Sequence, residues 1–312
     1  MTEDVFEYIA LTDKTDLPTK RAVALGFFDG IHLGHRLIIK RTVEEARRMG
    51  LRATVLTFSN FPVRGFKALT SLDEKIEIIK ELGADEIICA EFTDELKNME
   101  PQEFYEKVLF GKFGSEVLVS GEDYTFGRKA SGDTKLLTEL SAKDSVTHIV
   151  VPDVLYAGEK SSSTKIRELL RSGEASEAVE LLGGRPFCYE GPVVYGKKLG
   201  RTLGFPTVNI PIPEDKFIVK FGVYRSRVII EGKAYPAVSN VGLRPTVEHS
   251  DNINCETFIY DFHRDMYGHF VRVELWEFIR PEMAFSSVEQ LKAQVDADKE
   301  KVANLWEINI IV

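Results

Sequence analysis

Two hydrophobic periodicities divide the chain. From residue 21 to 154, short apolar runs alternate with amphipathic ones. RAVALGF (21–27), RATVLTF (52–58), DEIICAEF (85–92), SEVLVSG (115–121) and VTHIVVPDV (146–154) predict strands. HRLIIKRTVEEARRMG (35–50), SLDEKIEIIKELG (71–83), PQEFYEKVLFGKFG (101–114) and GDTKLLTEL (132–140) predict helices between them, two of which stop at Gly50 and Gly83. SSTKIRELLRSG (162–173) and EASEAVELLG (174–183) predict two more helices. This alternation implies a parallel sheet covered on both faces, with ligands beyond the carboxyl ends of its strands. After Gly183-Gly184 the period becomes that of strands: 187–196, 222–232, 233–242, 255–262 and 269–278, with EGK and DMYG as turns. Strand following strand suggests a closed barrel or a sandwich. A last helix follows. Ser286 and Glu289 fit its capping box, and Val288, Leu291, Val295 and Val302 form its apolar face. The expected domains are residues 1–185 and 186–312.

A chain of 312 residues is long for one core and comfortable for two. The formal net charge of −9 argues against a broad nucleic-acid-binding face and is no obstacle to a single nucleotide. Cys89, Cys188 and Cys255 are far apart and form no CxxC pair, which fits a reducing cytosol. The first residues, MTEDVFEYIALTDKTD, lack a signal-segment pattern, and no apolar run approaches the roughly 20 residues that span a bilayer. The expectation is a soluble, cytoplasmic protein with small-molecule partners and neither nucleic acid nor membrane among them.

The turn after the first strand, GFFDGIHLGHRLI (26–38), is where an α/β unit binds phosphate, because the backbone N–H groups at the next helix start are unpaired. Gly26, Gly30 and Gly34 permit a sharp turn and close approach. His32 and His35 are three apart and share a face there. The spacing fits two solvent-facing histidines at a cap as well as a pair of donors to an α-phosphate. A metal site needs further ligands, and His148, His249, His263 and His269 provide no cluster. SSSTKIRELL (161–170) places hydroxyls at a helix start with Lys165 and Arg167 just beyond. That is an ordinary N-cap or a polyphosphate grip. GEDYTFGRKASGD (121–133) is a glycine-flanked loop after a strand.

In the second half, GRTLGFPTVNI (200–210) is a glycine-rich loop ending in Pro-Thr-Val-Asn. On an extended segment Thr207 and Asn209 point the same way. The pair reads as a turn or as two hard oxygen ligands for Mg²⁺. Glu256, in CETFIYDFHRDMYG (255–268), reads as a solvated strand residue or as the carboxylate a kinase uses on its attacking hydroxyl.

HxGH early and Ser-Ser-Thr-x-x-Arg late resemble the nucleotidylyltransferases related to class I aminoacyl-tRNA synthetases. The longer GFFDGIHLGH, GEDYTFG and SSSTKIRELL resemble one branch, the prokaryotic bifunctional riboflavin kinase/FMN adenylyltransferases, or FAD synthetases. PTVN, NVGLRPTVE (240–248) and Glu256 resemble that family's kinase segments, and the likeness covers nearly all of 20–306. It implies a Rossmann-like nucleotidylyltransferase domain followed by a Greek-key-type barrel with a C-terminal helix. The implied reactions are riboflavin plus ATP to FMN and ADP, then FMN plus ATP to FAD and pyrophosphate. The resemblance makes His32, His35 and Glu256 catalytic. It assigns Gly26, Phe28, Asp29, Gly30, Gly34, Ser163, Thr164, Arg167, Gly200 and Gly204 to nucleotide, Asp123, Phe126 and Arg280 to flavin, and Thr207 and Asn209 to Mg²⁺. Three positions depart from the family pattern. TFSNFPVRG (57–65) stands where many members read Thr-Phe-Asp-Pro-His-Pro, Ser161 replaces Ile or Val, and Val208 replaces Ala. The altered 57–65 loop leaves two rivals: an enzyme with one working activity, and a flavin-binding regulator without turnover.

Overall fold

A computed structural model describes residues 6–11, 17, 19–60, 65–195, 207–243 and 253–307. The chain divides into two compact units, Met1–Ser163 and Thr164–Val312.

The first unit is built on a six-stranded, wholly parallel sheet. Its strands are β1 (Glu7–Leu11), β2 (Arg21–Leu25), β3 (Arg52–Phe58), β4 (Glu86–Ala90), β5 (Ser115–Gly121) and β6 (Thr147–Val151), in the order β1-β4-β3-β2-β5-β6. The strands lie where the apolar runs predicted them, except β1, in a segment to which the sequence reading assigned no element. EYIAL is short, and only pairing with β4 makes it a strand. The chain steps outward from β2 to β3 and β4, then returns to the other side of β2 with β5. The order reverses at β2, so the loops after β2 and β5 flank the switch point, the ligand crevice of such sheets.

Helix α1 (Leu33–Met49) and helix α2 (Leu72–Glu81) cover one face, where Ile38, Ile39, Ala46, Ile78 and Ile79 pack on Ala22, Ala24, Val55 and Ile87. Ser71 and Glu74 close a reciprocal capping box on α2. The other face carries two short helices, α3 (Asp94–Asn98) and α4 (Pro101–Phe104), and α5 (Thr134–Lys143). The helix expected over 101–114 is α-helical only in α4 and continues as a π-helical segment, Tyr105–Lys112. Its side chains Tyr105, Val108, Leu109 and Phe113 fill the core on that side. A small hairpin, β7 (Leu155–Tyr156) and β8 (Glu159–Lys160), precedes the second unit.

Helices α6 (Ser163–Ser172) and α7 (Ala175–Leu181) lead into a six-stranded antiparallel sheet. Its strands are β9 (Phe187–Pro192), β10 (Thr207–Pro211), β11 (Gly222–Ile230), β12 (Lys233–Leu243), β13 (Ile253–Ile259) and β14 (Phe270–Pro281), in the order β10-β13-β12-β11-β14-β9. The edges curl together, since Val194 beyond β9 bridges Asn209 of β10. One sheet face holds a buried hydroxyl chain, Ser226–Ser239–Thr257, at 2.7 and 2.8 Å. Val223, Val238 and Phe258 pack with Val302 and Ala303 of the last helix, α8 (Val288–Leu305). Its cap lies one residue later than the sequence suggested: Ser287 accepts from Gln290 N, while Ser286 binds the Gln290 side chain. That shift leaves Val288 exposed, so the apolar face begins at Leu291.

Candidate active sites

In the first unit the loop after β2 carries the histidines. Phe28 (φ 51°) and Ile31 (φ 39°) are left-handed and fully buried. Such backbone costs about 1–3 kcal/mol per residue and persists only where its surroundings over-determine it. Here they do. The Phe27 carbonyl accepts from Thr57 Oγ1 and from Lys75 Nζ, each at 2.9 Å. Asp29 Oδ1 accepts from Leu69 N at 2.9 Å and Thr70 N at 3.3 Å, and Gly30 N (φ 84°) donates to Thr70 Oγ1 at 3.0 Å. Ser163 Oγ, at the end of the first unit, donates to the Asp29 carbonyl at 2.8 Å.

His32 is the N-cap residue of α1 by backbone alone, and its side chain makes no cap hydrogen bond. The ring instead stacks on His35, with centroids 3.7 Å apart and planes 25° apart. Phe28 meets His35 edge-on at 5.2 Å. Gly26 and Gly34 matter for what they lack. A Cβ on Gly26 would stand 3.1 Å from the Phe28 ring, and one on Gly34 3.2 Å from His32 Cε1. Both Nδ1 atoms are buried without a hydrogen-bond partner among the described residues. Burial pushes His32 down to about 4, against a smaller upward pull from Asp123. Burial, then the neighbouring His32 and Lys75, hold His35 well below the usual histidine range. Both imidazoles are therefore neutral at neutral pH.

The loop after β5 adjoins them. Asp123 is exposed and pairs with Lys160 at 2.8 Å, and Lys160 also pairs with Asp153. Phe126 is 6 % exposed, packed with Phe104 and Tyr124 in the core. Phe28 and Asp29 likewise face inward as supports of the loop. Phe58, the last residue of β3, forms a half-buried aromatic triad with Phe27 and Phe92, which lie just past the carboxyl ends of β2 and β4. Thr164 and Arg167 belong to the second unit, where the Arg167 guanidinium lies 5.8 Å from the Phe217 ring centre. Residues 61–64 of the altered loop fall outside the described residues.

The second constellation is set by strand register. Asn209 on β10 stands opposite Glu256 on β13, and Glu256 opposite Asn240 on β12. Directly opposed residues share a sheet face, and Thr207, two residues from Asn209, shares it too. Thr207 Oγ1 donates to Glu256 Oε1 at 2.6 Å, and Asn209 Oδ1 accepts from Asn254 Nδ2 at 2.8 Å. Asn209 is 5 % exposed and Glu256 is half-buried. A hydroxyl, an amide oxygen and a carboxylate on one face form a hard oxygen set of the kind Mg²⁺ takes. Arg280 is engaged elsewhere. Its guanidinium grips Asp298 of α8 through Nε at 2.9 Å and a second nitrogen at 2.6 Å, which fastens β14 to that helix. Gly200, Gly204 and residues 244–248 lie outside the described residues.

The sequence reading assigned no role to Thr70, Lys75 and Asn254, and it met Thr57 and Asn240 only as the first residues of the segments 57–65 and 240–248. Lys75 had a signal: it sits on the apolar face of α2, in line with Ile78 and Ile79. Asn254 had none beyond strand alternation, because its partner Asn209 lies dozens of residues away in the chain.

A family model for FAD synthetase matches residues 14–165, and one for riboflavin kinase matches residues 183–306. Three curated relatives are bifunctional riboflavin kinase/FMN adenylyltransferases. The Listeria monocytogenes protein is 36 % identical over 94 % of each chain. The Escherichia coli protein is 34 % identical over 89 % of this chain and 90 % of its own, and the Bacillus subtilis protein 30 % over 90 % and 91 %. A solved structure described as a macrolide-efflux protein from Streptococcus pneumoniae superposes with a TM-score of 0.86 at 31 % identity, over 95 % of this chain and 99 % of that one. Among the described residues no helix is long and apolar enough to cross a membrane. The chain belongs to the bifunctional riboflavin kinase/FMN adenylyltransferase family, with its FAD synthetase part N-terminal and its riboflavin kinase part C-terminal.

Proposed function

We propose that the protein makes FMN from riboflavin and ATP, and FAD from FMN and a second ATP. The observation that carries this reading is that two separate polar constellations stand on two separate compact units: the stacked histidines of the first and the Thr207–Glu256 pair of the second. Functionally the boundary falls between residues 185 and 186. The family matches ending at 165 and starting at 183 support it, although α6 and α7 cluster with the second unit.

In the kinase half, Glu256 accepts the proton of the ribityl 5′-hydroxyl as that oxygen bonds to the γ-phosphorus and ADP leaves. Thr207 orients the carboxylate through its hydrogen bond. Thr207 and Asn209 are the residues that would hold Mg²⁺, whose bound charge offsets that of the phosphates. Gly200 and Gly204 would cover the nucleotide. In the other half an FMN phosphate oxygen attacks the α-phosphorus of ATP, and the bond to the β-phosphate breaks to release pyrophosphate. His32 and His35, both neutral, would hydrogen-bond the α-phosphate as charge builds on its oxygens. The backbone of Gly26–Gly34 approaches the nucleotide, with Phe28 and Asp29 acting through the loop they support. Ser163, Thr164 and Arg167 hold the outer phosphates. Asp123 borders the flavin, Phe126 props its loop from below, and Arg280 frames the flavin side of the kinase site through α8.

Cys89, Cys188 and Cys255 are buried and form no disulfide among the described residues, which fits a reducing compartment and supports a cytoplasmic location. The test is direct. Purified protein is incubated with riboflavin, ATP and Mg²⁺, and the flavins are separated. FMN and then FAD are expected. Unchanged riboflavin sinks the kinase assignment, and FMN that never becomes FAD with fresh ATP sinks the adenylyltransferase assignment.

A further inference from the structure

The inner face of α2 is apolar at Ile78 and Ile79, yet Lys75, one turn earlier on that face, is only 2 % exposed. A buried ammonium is among the least favourable groups a core can hold, so its place calls for a reason. Its Nζ donates to the Phe27 carbonyl at 2.9 Å, the oxygen that Thr57 Oγ1 also reaches. A neutral hydroxyl already satisfies that carbonyl. Hydrogen bonding alone therefore does not explain why the second donor is a cation. What sets the position apart is the segment above it: Phe27 leads into a loop in which Phe28, Gly30 and Ile31 have positive φ and which ends at His32.

We propose that Lys75 is a positioning residue for adenylyl transfer: it fixes the Phe27 carbonyl, presets the loop that carries His32 and His35, and lends that loop a buried positive charge that favours an anionic phosphate. The inference rests on the adenylyltransferase reading of the first unit. In a dry loop such a charge is little screened. It acts on His35, which Lys75 and the stacked His32 both disfavour in its protonated form. Burial lowers the proton affinity of Lys75 itself, and Asp29 from the loop, Cys89 from β4 and Glu74 from its own helix oppose that shift. His32 is faced by Asp123 after β5, Lys160 of β8 and Asp153. Among these groups, Lys75 and His32 are the ones that bear on His35 directly.

The test compares full-length Lys75→Gln, Lys75→Arg and Thr57→Val with the wild type, reading FAD formation from FMN and ATP across pH. Circular dichroism and thermal melts of the same preparations report that the first unit is folded, and riboflavin phosphorylation reports the second. Lys75→Gln should lower kcat about 100-fold, the cost of a loop displaced by an ångström, with KM for FMN nearly unchanged. It should also move the acid limb of the pH profile upward, because His35 is protonated more easily without the cation. Lys75→Arg should return the limb to its wild-type position and recover most of the rate. Thr57→Val removes the neutral donor and should slow the reaction by about 3- to 10-fold with the limb unmoved. Wild-type kcat and limb in Lys75→Gln, or a Lys75→Arg enzyme as slow as Lys75→Gln, overturns the proposal. If Lys75→Gln does not fold, the other two variants decide: a shifted limb in Lys75→Arg, or a wild-type rate in Thr57→Val, overturns it. A wild type that forms no FAD from FMN refutes the adenylyltransferase reading first, and this inference with it.

Discussion

His32 and His35 bury their Nδ1 atoms without partners among the described residues, whereas Thr207 and Asn209 already hydrogen-bond their strand neighbours. The first pair stands on a loop held in left-handed conformations by side chains from three other segments. The second stands on strands of regular register, where opposition across the sheet aligns Asn209, Glu256 and Asn240. The difference teaches two ways to preorganise polar groups. A strained loop can keep donors dehydrated and unmatched until a ligand arrives, at a standing cost in stability. A sheet can keep them matched to one another, and a ligand must then exchange for existing hydrogen bonds.

The comparison predicts separable losses. Glu256→Gln should cut FMN formation about 1,000-fold, since it removes the proton acceptor, and leave FAD formation from supplied FMN within about twofold. Loss of both activities in a folded chain would break the separation of the sites. His35→Asn should do the reverse, slowing FAD formation by about 100- to 1,000-fold while riboflavin phosphorylation persists. Flavin separation after timed incubation reads both.

Acid should weaken the first unit before the second. His32 in the native state titrates near 4, against about 6.5 when unfolded. The unfolded chain therefore binds more protons between those values. The stability this neutral ring contributes is full above pH ~6.5 and is lost as pH falls toward ~4, on the order of 3 kcal/mol. His148, pushed by burial to about 4 on β6, adds in the same direction. Amide exchange at mildly acidic and neutral pH should show the loss in β2 and α1 and spare β11–β13. His32→Asn should reduce it, leaving the part that His35 and His148 contribute. The smallest effect tests the second unit alone. Asp298→Asn weakens the grip of Arg280 on α8 and should lower that unit's stability by about 2 kcal/mol, seen in thermal melts, with FAD formation from FMN unaffected.

Much of this architecture was legible beforehand because period is a local property. RATVLTF and SEVLVSG became β3 and β5 residue for residue, and the change of period near Gly183 marked the passage to the antiparallel sheet. The misses have common causes. EYIAL is a strand only because β4 lies beside it. The cap of α8 slipped from Ser286 to Ser287 because Gln290, not Glu289, supplies the partner three residues on. Segment 105–112 reads as α-helix by spacing, and only the packing of Tyr105, Val108, Leu109 and Phe113 into one core goes with its wider winding.

The sequence by itself determined where the candidate residues lie. HxGH before an amphipathic run, Ser-Ser-Thr before another, Thr-x-Asn on an extended segment and a glutamate on a strand are all short-range patterns that side-chain type and spacing locate, while the roles proposed for them come from the family resemblance. The tertiary structure alone decided what each group faces. Thr207 meets Glu256 across 49 residues of chain, Arg280 meets Asp298 instead of standing open, and Lys75 comes to lie under the histidine loop. Strand order and register are non-local choices. They set the burial, and with it the charge state and hydrogen-bond partners on which the chemistry depends.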